Sequence, residues 1–498
     1  MNFIKNYLVW VVILIFFVLF SLHSLLNHWN FSTHAWDLGI YDQQTWLYSH
    51  FQSIFNTVRG LNLLSDHFGL ILYPIGLIYL IYPHAETLLI IQALLVVLSA
   101  YPLYLISKKK LNNNLISWVI IIAYLSSIGI RSAIDFDFHL ATIAVFFYAY
   151  FVYFWLEKKY WWSIAFAFLA VLTKEDMPIY IGFTALGLMI NSCQKKDEVK
   201  NNFKLLILSL MSFLAIYKIM PVLSFSSFKQ NYFDYHYLGN SYIDVIYNTI
   251  KFPISTMQKI WDSFINNLVK VNTFKTYFGS FWYLPFFSPD ILIFSVPFLL
   301  TKFVSDRDVL WTLSAQYGVI GMFILSLATI YTIARLSALI TNKKYRNIIV
   351  IVWSIFFLIY TSYINFYKAK TTFWDGISPS RWKTINDYSG INQAINLIPK
   401  KASVVTQNNI VPHLTNRKSI YLLQCPFCNA PSNRIYNYVL LDTRYGSSFA
   451  PKELANIKPL IDELITKGTL EGWGYYELVY KDEQESYSTY LFKNNQIE

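Results

Sequence analysis

Residues 86–110 read ETLLIIQALLVVLSAYPLYLISKKK, and their reading sets the fold. As a helix rising about 1.5 Å per residue, the apolar part is long enough to cross a hydrocarbon core of about 30 Å. Lys108, Lys109 and Lys110 close it. Because Lys and Arg stay on the cytoplasmic side of a bilayer, these three also give the helix its direction.

The whole chain agrees with that reading. Of its 498 residues, 55% are hydrophobic, 19% aromatic and 14% charged, whereas a soluble protein carries charge on about a quarter of its positions. A multi-pass membrane protein is predicted. The net charge of +11 comes from small lysine clusters at the ends of apolar runs, with no basic patch interleaved with aromatics, so no nucleic-acid partner is expected. Three cysteines exclude a disulfide scaffold, although Cys425 and Cys428 form a CxxC that suits a local disulfide or a pair of thiols.

Working outward from 86–110, residues 7–26 make a first span, too long and too poor in small residues for a cleaved signal peptide. Residues 68–82 are apolar but short, and Pro74 and Gly76 interrupt them. If they crossed, the Lys108 cluster would face outward, so they are read as non-spanning. Further spans alternate over 115–130, 140–156, 161–172, 178–190, 205–222, 318–340 and 348–366. The stretch 277–302, broken by Pro285, Pro289 and Pro297, enters and leaves on one side, a form tolerated where protein shields the backbone. Nine to eleven transmembrane helices are expected over residues 1–370. Two extracytoplasmic loops interrupt them, 27–66 with an interfacial helix over 43–58, and 223–273. Alternating runs at 402–406 and 438–442, with helical spacing at 388–398 and 451–464, predict a small soluble α/β domain over 371–498, outside the cell membrane.

Placing the lysines inside brings the acidic and histidine clusters to one outer face. The first of these is Trp36-Asp37-Leu38-Gly39-Ile40-Tyr41-Asp42-Gln43-Gln44-Thr45-Trp46. An acid there stays ionised at little cost and meets a substrate whose other half lies in lipid. Asp37 and Asp42 would not face one another on a helix, so one functional carboxylate is expected, Asp37; the alternative is that Asp37 caps a helix starting at Leu38. Asp135, Asp137 and His139 alternate, and offer hard oxygens and an imidazole to a divalent cation such as Mg or Mn, or else pack at the interface. Lys174-Glu175 ends a short helix, where the lysine can clamp a phosphate or simply be solvated. Asp66-His67 offers a ligand, a base or a cap. His413 and Arg417 follow a predicted strand and suit a polar headgroup or a surface loop. The chain has no Walker A, GxGxxG, HExxH or GxSxG motif, which argues against ATP-driven transport and the familiar soluble hydrolases.

Taken in order, Trp36-Asp37-Leu38-Gly39-Ile40-Tyr41-Asp42-Gln43, Ser65-Asp66-His67-Phe68, Asp137-Phe138-His139, Lys174-Glu175-Asp176, Phe286-Phe287-Ser288-Pro289 and Val411-Pro412-His413-Leu414 with Arg417 resemble the DUF2079 family of membrane proteins. That family is distantly similar to the GT-C glycosyltransferases. The resemblance implies a GT-C-like all-α polytopic domain and transfer of a sugar from a polyprenyl-phosphate donor to an acceptor at the extracytoplasmic face. Asp37 would be the base or acceptor-positioning acid. Asp42, Gln43, Asp66, His67, Arg131, Lys174, Glu175, His413 and Arg417 would bind substrate. Gln316-Tyr317 stands where the resemblance implies a His-Tyr pair. Two rivals remain: a lipid or solute transporter without bond chemistry, and a non-enzymatic membrane protein whose outer domain binds a ligand. No cofactor is required by the sequence beyond the divalent cation considered for Asp135, Asp137 and His139.

Overall fold

The computed structural model describes residues 2–224, 233–314, 316–364, 378–423, 436–444, 457–470 and 474–496; Cys425 and Cys428 lie outside them. The apolar run that opened the sequence forms two helices, α4 (Ala85–Leu98) and α5 (Ala100–Leu111), which together make one 27-residue candidate span ending in the three lysines. Among the described residues four other helices are long and apolar enough to cross: α1 (Asn2–Trp29), α11 (Lys196–Leu223), α15 (Val319–Ala338, with the turn before it) and α16 (Lys343–Tyr363). The pair α6 (Asn114–Ser126) and α7 (Ile128–Asp135), bent by 41°, makes a sixth if counted as one. Helices α8 (Leu140–Leu156), α9 (Tyr160–Val171) and α10 (Met177–Asn191) are apolar but shorter. The expected nine to eleven spans are therefore reached only by counting these short helices too.

Two sequence expectations change. Residues 43–58 do not make an interfacial helix: α2 (Ile40–Ser49) is buried on nearly every side. Its amides and hydroxyls find protein partners rather than headgroups, which is why a polar helix can sit inside. Residues 223–273 are also more than a loop, since α12 (Tyr242–Lys251), α13 (Pro253–Ile265) and the start of α14 (Leu268–Gly279) lie within them. Ile243, Ile246, Tyr247 and Ile250 recur at helical spacing there. The 68–82 stretch contains only α3 (Leu72–Tyr79), at 8 residues far too short to cross. Residues 277–302 break into short turns around their prolines.

The bundle has two chemically distinct ends. At one, Lys109 pairs with Glu157 at 2.7 Å, Lys158 and Lys195 both reach Glu198, Lys110 lies 4.0 Å from the centre of the Tyr331 ring, and Arg335 forks onto Asp290. At the other gather Asp37, Asp66, His67, Asp137, His139, Lys174 and Glu175.

The C-terminal region docks on that second end. Among the described residues it contains α17 (Ser389–Leu397), α18 (Lys458–Lys467) and a six-stranded mixed sheet. Its strands are β3 (Val404–Thr406), β4 (Ile420–Leu422), β5 (Tyr438–Asp442), β6 (Thr469–Leu470), β7 (Gly474–Glu483) and β8 (Ser488–Asn494) in the order β4-β3-β5-β8-β7-β6, after a small hairpin of β1 (Phe55–Asn56) and β2 (Leu61–Asn62) in the first loop. Strand β3 runs parallel to both neighbours, and the remaining pairs are antiparallel. The loop leaving the C-terminal end of β3, where ligands and contacts commonly gather in such sheets, meets the membrane region directly.

Candidate active site

Asp37 sits in a backbone turn that few residues adopt. Its φ of 70° and ψ of −78° fall in the strained γ-turn region, inside the kinked segment Ala35–Gly39. A non-glycine residue held so costs about 1–3 kcal/mol and persists only where its surroundings insist on it. Three contacts do so here. The N–H of Ala35 is bonded by both the carbonyl and the side-chain oxygen of Asn408, each at 2.9 Å. The Asn409 side chain donates to Phe31 O at 2.9 Å. Gly39 leaves only enough room for Val411, whose Cγ1 would lie 3.1 Å from a Cβ added at that position. The turn is thus held by the loop after β3, some 370 residues away in sequence.

The alternative role of Asp37 as a helix cap is absent. Helix α2 starts at Ile40 after Gly39, with no side-chain cap. Among the described residues the Asp37 carboxylate accepts no hydrogen bond, its side chain is 25% exposed, and its nearest ionisable contact is His139 Nε2 at 3.9 Å. His139 begins α8 and uses Nδ1 to accept from Ala141 N at 2.9 Å, which leaves the proton of the neutral ring on Nε2, toward Asp37. Gln92, buried in the middle of an otherwise apolar α4, holds this segment from below. It donates to Asp137 O at 2.6 Å and accepts from His139 N at 2.8 Å.

Around this acid stand the other clusters. His67 Nδ1 lies 3.0 Å from Glu175 Oε1, and Glu175 Oε2 accepts from Phe68 N. Lys174 reaches Asp176 at 3.1 Å. Asp66 accepts from Arg59 at 2.8 Å, and Arg59 in turn lies over the Trp36 ring. Asp137, at a φ of 77°, accepts from His34 N at 2.9 Å.

Electrostatics separates these groups. Burial pushes the Asp37 carboxyl up to about 7, with the positive His67 opposing and Asp137 and Asp66 reinforcing the rise. For His67 burial works downward, but Glu175 and then Asp66 outweigh it and carry the imidazole up to about 9. Glu175 is held well below the usual carboxylate range: burial alone would raise it, and His67 overrides that. Lys174 is likewise kept charged against burial by Asp176 and Glu175. His139 stays neutral because of burial and the nearby charges of Lys174 and His67. At neutral pH the site therefore holds a fixed Lys174 and His67 cation pair, a neutral imidazole, and an acid poised to gain or lose its proton.

The structure brings together Asp37, Asp66, His67, Asp137, His139, Lys174 and Glu175. It gives the other sequence candidates partners elsewhere. Asp42 is buried and accepts from the hydroxyls of Tyr79 and Thr415. Gln43 donates to Thr57 Oγ1 at 2.7 Å and to the carbonyls of Arg417 and Lys418, and it accepts from the N–H groups of Thr57 and Val58. Arg417 is buried and donates to the carbonyls of Leu414, Pro399 and Ala402. His413 stacks between His28 and Phe31, with ring centres 4.0 and 3.8 Å away. These four line the seam between the membrane region and the C-terminal region. Arg131 is fully buried in α7, where its nearest charge is Asp135. The ligand set expected for a divalent cation does not converge. Asp135 bonds His23 at 2.7 Å, Asp137 bonds His34 and His139 caps α8, and among the described residues no group of three His, Cys, Asp or Glu side chains is placed to hold a metal.

Three contributors escaped the sequence reading. Asn408 is a plain loop asparagine, and nothing local in the sequence marks it. Gln92 did carry a signal, as a lone amide inside an apolar span. Tyr317, noted in the sequence only for the departure from a His-Tyr pair, adjoins both Asp37 and Lys174.

The family profile described as "Predicted membrane protein (DUF2079)" matches residues 27–479. The chain is a member of the DUF2079 family. Among solved structures, this DUF2079 protein is similar in fold to ArnT from Cupriavidus metallidurans, crystallised with undecaprenyl phosphate. The TM-score is 0.55 at 11% identity, over 98% of this chain and 97% of ArnT. No curated protein matches it by sequence.

Proposed function

We propose that this DUF2079 protein is a membrane glycosyltransferase of GT-C type that transfers a sugar from a polyprenyl-phosphate donor to an acceptor hydroxyl at the extracytoplasmic face, with the C-terminal region on that side. The observation that carries the reading is Asp37. It is a half-buried carboxylate with no hydrogen-bond donor among the described residues, held on a strained turn beside Lys174, His67 and His139. The fold it shares with ArnT, a protein crystallised with undecaprenyl phosphate, supports the same reading.

The acceptor hydroxyl gives its proton to Asp37 as its oxygen attacks the anomeric carbon. The bond from that carbon to the phosphate oxygen breaks, and the lipid phosphate leaves with the bonding pair. Attack opposite the leaving group inverts the anomeric centre. Lys174, kept charged by Asp176 and Glu175, takes up the developing negative charge on the phosphate. The positive His67 opposes the rise that burial causes, and so keeps more of Asp37 ionised and free to take a proton at neutral pH. His139 Nε2 faces the carboxylate from 3.9 Å.

The test incubates purified, lipid-reconstituted protein with a panel of radiolabelled polyprenyl-phosphate sugars, beside an Asp37→Asn variant shown to be folded. Transfer by the wild type and its loss in the variant is the expected result. Equal transfer by both removes Asp37 from the mechanism. Movement of intact lipid-linked sugar across the bilayer without cleavage overturns the assignment in favour of a transporter.

A further inference from the structure

Helices α12 and α13 present their polarity the wrong way round for a water-soluble surface. A helix lying on a protein in water turns its apolar stripe inward. Here Ile243, Ile250 and Ile254 are 78%, 76% and 84% exposed, and Ile246, Tyr247, Met257, Trp261 and Ile265 share their face and their exposure. The inward face is small and polar: Thr256 is buried and donates to Asn248 O, Asn248 donates to Leu238 O, and Ser263 accepts from Lys270. Eight large apolar side chains at this exposure exceed the few hundred Å² that monomeric soluble proteins leave open.

The surroundings indicate what covers this face. Directly after α14 the chain meets a candidate span: Thr361 of α16 donates to Ser280 O at 2.9 Å, and Trp282 packs against Trp353 and Tyr360. Thr361 lies at the end of α16 away from Lys343 and Lys344. The exposed face includes a tryptophan and a tyrosine, the rings that settle at headgroup depth, and Lys251 and Lys259 flank it.

We infer that α12 and α13 lie in the plane of the bilayer surface on the Asp37 side, with the Ile243 to Ile265 face sunk to the boundary between headgroups and acyl chains. The pair is tied to the wall of the candidate site. Phe264 packs on Phe303, Lys270 donates to both Ser263 Oγ and Ser305 O, and Tyr237 donates to Val304 O, so the segment leading to Arg307 and Tyr317 is fixed to the same surface. The anchor thereby sets the mouth of the site at headgroup depth. This inference rests on the membrane fold and stands whether or not the protein transfers sugars.

The experiment uses the full-length chain with Cys193, Cys425 and Cys428 replaced by serine, reconstituted in vesicles of phosphatidylethanolamine and phosphatidylglycerol. Single nitroxide labels go on Ile254→Cys and Met257→Cys, and on Lys259→Cys, an exposed position flanking that face, as the water-facing control. The two apolar-face labels are expected to relax faster with dissolved oxygen than with a water-soluble nickel chelate, and the control label to show the reverse. Nickel access at Ile254 and Met257 equal to that at Lys259 overturns the proposal. Shielding of those labels from both reagents, or short label-to-label distances between two copies, also overturns it, because protein rather than lipid then covers the face.

Discussion

Asp37 and Asp42 stand five residues apart in one segment, both are half-buried or buried, and burial pushes both carboxyls up to about 7. Their surroundings assign them opposite tasks. Asp42 is fully enclosed and accepts hydroxyl hydrogen bonds from Tyr79 on one side and Thr415 on the other, so it joins α3 to the C-terminal region. Asp37 has an open face and no donor among the described residues, with cations close by that do not close on it. A carboxylate whose lone pairs are filled by protein holds the fold together, and one whose lone pairs are left open is available to a substrate. Solvation and sequence spacing alone do not separate the two; the count of donors does.

The comparison breaks first at Asp37. Asp37→Asn keeps the shape and removes the base, so transfer is expected to fall by about 10²–10⁴-fold, while the thermal unfolding profile stays that of the wild type. Lys174→Met should follow at about 10²-fold, the scale of losing one charge-stabilising group, measured as kcat with the lipid-linked donor saturating. Comparable activity in either variant would mean that the open cluster is not where the chemistry occurs.

Titration sharpens the contrast, because the same pH range acts on the two acids with opposite consequences. As a base Asp37 must be ionised. With its carboxyl raised to about 7, transfer is expected to drop roughly tenfold per pH unit below 7 and to level off above it. Between 7 and 9 His67 remains protonated and the profile stays flat.

Much of this site could be read from the sequence, and the unread part is of one kind. The clusters at Asp37, Asp66-His67, Asp137-His139 and Lys174-Glu175 were found because each is a local break in an apolar chain, and the lysine pattern placed them on one side. What the sequence did not disclose is which of two similar acids has its acceptors filled, since the donors come from Tyr79 and from Thr415, the latter 373 positions away. For the same reason Gln43 and Arg417 carried no local mark of the docking seam, and Asn408 none of its hold on the Asp37 turn. Helices α12 and α13 were missed differently. Their apolar spacing was visible, but polar residues between the apolar ones gave the stretch the average character of a loop.

Asn408 lets the turn itself be tested. Asn408→Ala removes one of the two acceptors of Ala35 N and keeps the carbonyl, so the turn should loosen without unfolding. A displaced catalytic group costs rate more than binding, and a loss of about tenfold in kcat with KM little changed is expected. An unchanged kcat would mean that the Asn408 carbonyl, Asn409 and Val411 hold the strain at Asp37 without the Asn408 side chain.

The smallest effect belongs to the seam and is the one that separates the two acids most cleanly. Asp42 in the folded protein has its carboxyl raised by burial to about 7, with Thr415 and Tyr79 opposing that rise, above the ordinary value of 3.8 of an unfolded chain. The folded state therefore holds its proton more tightly, so the stability this group contributes is full below the unfolded value and is lost as pH rises toward 7. Asp42→Asn mimics the protonated form and keeps one acceptor. It should leave kcat near that of the wild type, shift stability by roughly 1 kcal/mol, and flatten the dependence of the melting temperature on pH between about 4 and 7. Thr415→Val removes a donor instead and should lower the melting temperature at every pH. If Asp42→Asn instead lost transfer as Asp37→Asn does, the distinction between a filled and an open carboxylate would fail, and Asp42 would have to be counted with the site.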